Sequence, residues 1–175
     1  MRESWVRGIF FKQVLDYIKR TRGETSLEML NIKPEKYRIE ERYDFEEFCK
    51  LLAKIDLMSA HDDGNYISKV ARETMTEEAT WKIQFRRMDP KNLLMSMKRQ
   101  EGRHQIADFE ATSNGGNLVL IKMSMWSGSR PHQDLWAHFY RGRLEGVLEL
   151  MGRKGEVKMF KEFEDGVYTY EISWV

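Results

Sequence analysis

Phe139-Tyr140-Arg141-Gly142-Arg143-Leu144-Glu145-Gly146 lies inside an apolar-periodic segment that reads as a helix, yet it carries two glycines four residues apart. A glycine in a helix interior costs about 0.5–1 kcal/mol relative to alanine, so the pair implies a packing reason. Spaced i and i+4, Gly142 and Gly146 make one smooth strip where another backbone or a flat ligand can approach closely. Upstream, Pro131 opens this helix, and Trp136, Tyr140, Leu144, Val147, Leu148 and Met151 recur on its inward face. Downstream, strands are expected around Val157 to Phe163 and Val167 to Trp174, joined by Glu164-Asp165-Gly166, with Tyr168, Tyr170, Ile172 and Trp174 on one face.

Further upstream, Ser113-Asn114-Gly115-Gly116-Asn117 is a hairpin signal, because Asn and Gly supply the positive φ angles of tight turns. Val119, Ile121, Met123 and Met125 alternate with Leu118, Leu120, Lys122 and Ser124, as in a strand with one apolar and one mixed face. The first half of the chain has helical periodicity instead. Phe11, Val14, Leu15 and Ile18 mark a helix ending near Gly23, and Leu27, Met29, Leu30 and Ile32 a shorter one before Pro34. Asp44 and Glu47 read as a capping box ahead of the Phe45, Phe48, Leu52, Ile55 stripe. A helix with Tyr66, Ile67 and Val70 follows. Another, with Trp81, Phe85 and Met88, is expected to be capped by Thr74 or Thr76, and a short piece holds Leu93, Leu94 and Met97. The expected fold class is α+β: a helical N-terminal lobe, about residues 1–100, then a small four-stranded antiparallel sheet with a crossing helix over about 101–175, in the order strand-strand-helix-strand-strand. A single domain, 1–175, is expected from the length and the 41% hydrophobic content.

Charge is high but balanced, with 29 Lys and Arg against 28 Asp and Glu, which gives no global reason to expect nucleic acid as a partner. Arg86, Arg87, Lys91, Lys98, Arg99 and Arg103 cluster near the expected lobe junction and read as a solvated face or, alternatively, as a patch for phosphate or an acidic partner. Cys49 is the only cysteine, so an internal disulfide and a cysteine-type zinc site are both excluded. No stretch approaches the 18 or more apolar residues of a membrane span, and the opening Met1-Arg2-Glu3-Ser4-Trp5 lacks an apolar signal core; a cytoplasmic location is expected.

Val6-Arg7-Gly8-Ile9-Phe10-Phe11, the Phe139-to-Gly146 helix and the terminal Val167-Tyr168-Thr169-Tyr170-Glu171-Ile172-Ser173-Trp174 together resemble the heme-nitric-oxide/oxygen-binding (H-NOX) superfamily across nearly the whole chain. The resemblance is closest to a heme-free paralogous branch common in myxobacteria, with vinyl-reductase-type and transport-particle ligand domains as more distant relatives. It implies a helix packed on a four-stranded sheet, with a ligand cavity between helical lobe and sheet. It also implies a proximal histidine on the helix before the first hairpin strand and a Tyr-x-Ser-x-Arg segment for heme propionates. Here the histidine position falls on Lys98 or Arg99, and the second segment reads Met125-Trp126-Ser127-Gly128-Ser129-Arg130, without tyrosine and with the arginine displaced by one. No cofactor is therefore expected, heme included.

Candidate ligand residues remain. Ser127, Ser129 and Arg130 directly precede a helix, whose free amides and dipole favour a carboxylate or phosphate, although Ser129 also reads as a simple cap. Met95, Met97, Met123 and Met125, with Trp126, Trp136 and Tyr140, are candidates for an adaptable apolar pocket or for ordinary core. An apolar cavity with one anionic anchor suits an amphipathic carboxylate. His132 and His138 fall on different sides of their helix, and the His61-Asp62-Asp63 loop lacks calcium-loop spacing, so no metal is expected. Glu145 has no acid or base partner and reads as a surface residue. With no nucleophile elbow or phosphate-binding loop, no enzymatic activity is expected. The leading readings are a heme-independent small-molecule sensing domain and an interaction module in which the glycine strip and exposed aromatics mediate homodimerisation or docking to a signalling protein; a heme-based gas sensor ranks behind both.

Overall fold

The computed structural model describes residues 4–59, 64–77, 85–86, 88–96, 104–126, 133–164 and 166–175. Strand β1 (Trp5–Arg7) runs directly into α1 (Gly8–Arg22), followed by α2 (Glu24–Leu30), a 3-10 turn (Pro34–Lys36), β2 (Arg42–Asp44), α3 (Phe45–Leu57), α4 (Asn65–Glu77) and α5 (Pro90–Ser96). Then come β3 (His104–Gln105), β4 (Ala107–Ser113), β5 (Leu118–Met125), α6 (Gln133–Leu150), β6 (Gly155–Lys161) and β7 (Val167–Trp174). The four-stranded sheet is antiparallel throughout in the order β4-β5-β7-β6, which makes the fold α+β. A three-stranded sheet, β2-β1-β3, is an addition that sequence periodicity did not reveal. Its strands are two or three residues long, too short for alternation to register.

Local chemistry explains most boundaries. Helix α1 ends on Lys19, Arg20 and Arg22, whose charges oppose the negative dipole end, and Gly23 breaks it at φ 86°. Helix α2 ends at Asn31 in the left-handed region, φ 51°, as asparagine tolerates. Asp44 caps α3 by accepting the Glu46 amide at 2.8 Å. Glu47 does not complete a capping box: it accepts the Tyr37 hydroxyl at 2.8 Å and pairs with Lys36 instead. Thr74 and Thr76 do not start a helix either. Both sit inside α4 and donate to the carbonyls of Ala71 and Glu73. Asp89 caps α5 by accepting the Asn92 amide at 3.0 Å. Gly115 and Gly116, at φ 84° and 55°, turn the β4–β5 hairpin. Trp81, Met97 and the segments around them lie outside the described residues, while Phe85 is buried and Met88 is exposed.

Buried side chains form one continuous cluster running from α1 and α3 through α6 to the inner faces of β5 and β7. Val119, Ile121, Met123 and Met125 of β5 and Tyr168, Tyr170, Ile172 and Trp174 of β7 all point into it. Met29 is the exception among the apolar positions of α2; it is exposed.

The central element is α6, buried over most of its circumference. Phe139 and Trp136 pack on Phe10, Phe45 and Phe48 of α1 and α3, with ring centroids 5.3–6.1 Å apart. Tyr140 faces the sheet, its ring 5.2 Å from Phe109 and 5.3 Å from Tyr170. The Tyr170 hydroxyl donates to the Ala137 carbonyl at 3.1 Å, and the Tyr168 hydroxyl donates to Asp134, so β7 grips α6 at two points. The glycine strip faces neither group. It faces α4: a Cβ on Gly142 would lie 2.0 Å from the Ser68 carbonyl oxygen, and one on Gly146 would lie 2.9 Å from Met75 Cβ and 3.1 Å from the Arg72 carbonyl oxygen. The close approach expected along these glycines is thus made by the backbone of α4. They serve a helix crossing, and the contact leaves them no free face for a second protein. The Ser68 hydroxyl donates to the His138 carbonyl at 2.7 Å across the same seam.

Gly142→Ala is expected to destabilise the fold by about 1–3 kcal/mol despite the gain in helix propensity, because a backbone carbonyl must move. Gly146→Ala should lose less, since its closest approaches, 2.9 Å to Met75 Cβ and 3.1 Å to the Arg72 carbonyl, are a far smaller overlap than the 2.0 Å at Gly142. Urea unfolding of the two variants beside the parent checks the order.

Candidate functional site

Helix α5 packs on β4 and β5, and α6 crosses the same sheet on its inner face. Register places Phe109, Met123 and Tyr168 side by side in one inward row, with Ala111, Ile121 and Tyr170 in the next. Tyr140 stands over both rows through its contacts with Phe109 and Tyr170. Of the candidate ligand residues, Met123, Met125, Trp136 and Tyr140 are buried; Met95 and Trp126 are half-buried, Met95 against the same core. Met97, Ser127, Ser129 and Arg130 lie outside the described residues. The structure therefore brings Tyr140 over the sheet face that holds Met123, while Trp136 packs on α1 and α3. Met125 marks the end of β5, where its amide donates to the Gly166 carbonyl and the Trp126 amide donates to the Ile106 carbonyl.

Tyr140 carries the notable polar atom of this region. It is 2% exposed, and its hydroxyl has no hydrogen-bond partner among the described residues. A buried unsatisfied hydroxyl costs about 1–3 kcal/mol. Burial holds the phenol far above its ordinary pKa, partly opposed by the nearby Arg143 guanidinium, so the group stays a neutral donor. Burial likewise pushes up Tyr170, reinforced by the neighbouring tyrosines Tyr140 and Tyr168.

Three groups missed by periodicity shape the surroundings. Arg143 is buried, with its guanidinium 4.9 Å from the Phe10 ring centre and a 3.4 Å hydrogen bond to Gln13. Asp134 opens α6: burial pushes its carboxyl up, but the Tyr168 hydroxyl and the Lys161 ammonium outweigh this and hold it below the usual range. Glu145 is half-buried rather than a free surface group, and burial raises its pKa against the opposing charges of Arg141 and Arg72. No pattern in the sequence marks Arg143, since an arginine within an apolar stripe normally points outward.

Heme, which the resemblance brings into question, needs an axial ligand facing the space between lobe and sheet. Three kinds of side chain with described placement come into question. His138 packs against Gly64 at the start of α4. Neutral Tyr140 and Tyr170 are poor anionic ligands, and Cys49 is buried on α3. The segment 97–103, which holds Lys98 and Arg99, lies outside the described residues. No group of three metal-binding side chains occurs among the described residues.

Comparison with known structures defines the class of fold. An Fe(II) unliganded H-NOX protein from K. algicida superposes with a TM-score of 0.73 at 15% identity, covering 97% of this chain and 96% of that one. A structure from work on the molecular mechanism of H-NOX activation gives 0.69 at 14% identity over 96% of each chain. One from a study of heme distortion in the H-NOX family gives 0.70 at 13%, covering 96% of this chain and 94% of that. No family model and no curated protein matches the chain in sequence. The fold is H-NOX-like, and at such identities the likeness is one of fold.

Tyr140→Phe in the ligand-free protein is expected to be neutral or to stabilise by about 1 kcal/mol, whereas Tyr170→Phe should cost about 0.5–1.5 kcal/mol by losing its bond to Ala137; denaturant midpoints distinguish the two. In the unfolded chain both phenols ionise near pH 10. Folding raises their pKa, so the stability they support is present below roughly pH 10 and lost as the pH rises beyond it. Urea midpoints measured at about pH 8 and pH 11 should fall accordingly, and less so in Tyr170→Phe.

Proposed function

We propose that this chain is a ligand-sensing domain that binds a small amphipathic, anionic molecule, and not heme, between α6 and the sheet. The observation that carries this reading is the Tyr140 hydroxyl: a buried neutral donor over an apolar sheet face, with the positive Arg143 nearby and no internal acceptor among the described residues. A carboxylate accepts from such a donor, and the methionines beside it suit a flexible apolar tail. Ser127, Ser129 and Arg130, just before α6 in sequence, are the groups proposed to bind the same anionic end. The missing Tyr-x-Ser-x-Arg pattern and the Lys98 or Arg99 at the expected histidine position support heme independence, as in the heme-free branch the sequence resembles.

Binding is read out through α6. This helix touches α1, α3, α4 and the sheet, so a ligand that fits one placement of α6 better than another shifts the balance between them. A non-enzymatic role in signalling follows from that design.

The test is thermal: a panel of fatty acids and other amphipathic carboxylates should raise the melting temperature of the parent protein. A ligand present at 100 times its Kd adds about 2.7 kcal/mol. Tyr140→Phe should reduce the response, and Arg130→Ala should weaken acids more than the matching alcohols. Expression with a heme supply should leave no Soret band. A flat response to the panel, or a stoichiometric Soret band, overturns the reading.

A further inference from the structure

The net charge of +1 conceals two surfaces of opposite sign. Between α2, the 3-10 turn and α3 lies an open groove of about 540 Å³. Its rim carries Lys33, Lys36, Lys50 and Lys54, and its floor includes Ile32 and the buried Leu51; Glu47 is its single acidic lining residue. Three of these lysines are engaged: Lys36 with Glu47, Lys50 with Glu46 at 2.8 Å, and Lys54 with the Leu30 carbonyl at 2.8 Å. Lys33 is exposed and has no acidic partner within 4.0 Å among the described residues.

The opposite surface is the turn between β6 and β7. Phe163 is fully exposed there, at 107%, between Glu162 and Glu164, and Phe160 on the adjoining strand is 49% exposed. The tip is held by backbone bonds, Glu162 amide to Val167 carbonyl at 2.9 Å and Val167 amide to Glu164 carbonyl at 3.2 Å, so the phenyl group is presented on a fixed support. The Thr169 hydroxyl anchors Glu162 at 2.7 Å, whereas Glu164 has no partner among the described residues. A solvent-exposed aromatic between carboxylates is the complement of an apolar floor ringed by ammonium groups.

We propose that the lysine-rimmed groove between α2 and α3 receives the Glu162-Phe163-Glu164 tip of a second copy of this chain, so that the domain self-associates through this contact. Phe163 enters over Ile32 and Leu51, and Glu164 meets the free Lys33. Each copy carries one tip and one groove, so the contact is heterologous and links copies in pairs or in series. An aromatic side chain buries about 150–250 Å², so even two such contacts stay below the area of a permanent dimer and the association is weak and reversible.

Light scattering or sedimentation from roughly 10 µM to 1 mM reads this directly. The average mass should climb above 20.9 kDa as concentration rises. Phe163→Ser, a change at a fully exposed site, should weaken association at least about tenfold. Raising salt from about 0.1 M to 1 M shortens electrostatic reach from about 10 Å to 3 Å and should weaken it also. Lys33→Glu and Glu164→Lys should each reduce self-association, and an equimolar mixture of the two should restore it. A parent protein that stays monomeric throughout overturns the proposal, as does association that Phe163→Ser leaves unchanged. A monomer whose groove instead binds an unrelated acidic peptide also overturns it and gives the groove to another protein.

Discussion

The backbone contact between α6 and α4 at Gly142 is the constraint on which the rest of the molecule depends. With the Ser68 carbonyl oxygen standing where a side chain would begin, the two helices meet at a separation that only glycine permits. That closeness fixes the rotation of α6 about its own axis. Phe139 and Trp136 are thereby directed to α1 and α3, and Tyr140 is directed to the sheet. A helix buried on three sides has little freedom to slide without disturbing every interface, because close-packed interiors transmit displacement instead of absorbing it. The same geometry that makes α6 the keystone of the fold makes it the natural element to report an event in the core.

Several polar groups along α6 are satisfied by named partners within the fold. Asp134 is held by Tyr168 and Lys161, the Ala137 carbonyl by Tyr170, and Arg143 by Gln13 and the face of Phe10. Tyr140 lies among them with its hydroxyl unpartnered among the described residues. Proteins seldom keep such an atom without a use, since phenylalanine fills almost the same volume at lower cost. A hydroxyl donor placed over the sheet face, together with the apolar lining, marks the candidate binding region.

At the surface, balance of charge is not uniformity of charge. Exposed ion pairs contribute about 0–1 kcal/mol to stability, so lysines gathered at one groove and carboxylates gathered at one turn do little for the fold itself. Their arrangement governs what the surface meets. The exposed Phe163 sharpens the contrast by setting an apolar ring between two carboxylates.

Much of the architecture was legible in residue pattern. The 3.6-residue stripes of α1, α3 and α6, the Asn-Gly-Gly turn and the alternation of β5 and β7 each reflect a local rule acting over enough residues to be seen. Patterns failed where an element was short, as in β1 to β3, or where a side chain chose a distant partner over a near one, as Glu47 did with Tyr37. The glycine strip shows the division most clearly. By itself the sequence determined that α6 must be approached closely along Gly142 and Gly146, because backbone entropy penalises glycine in a helix whatever surrounds it. Only the tertiary structure decided that α4 makes the approach, that Arg143 is buried and that the Tyr140 hydroxyl lies unpartnered over the sheet. Those outcomes depend on which surfaces meet, and no local spacing encodes them.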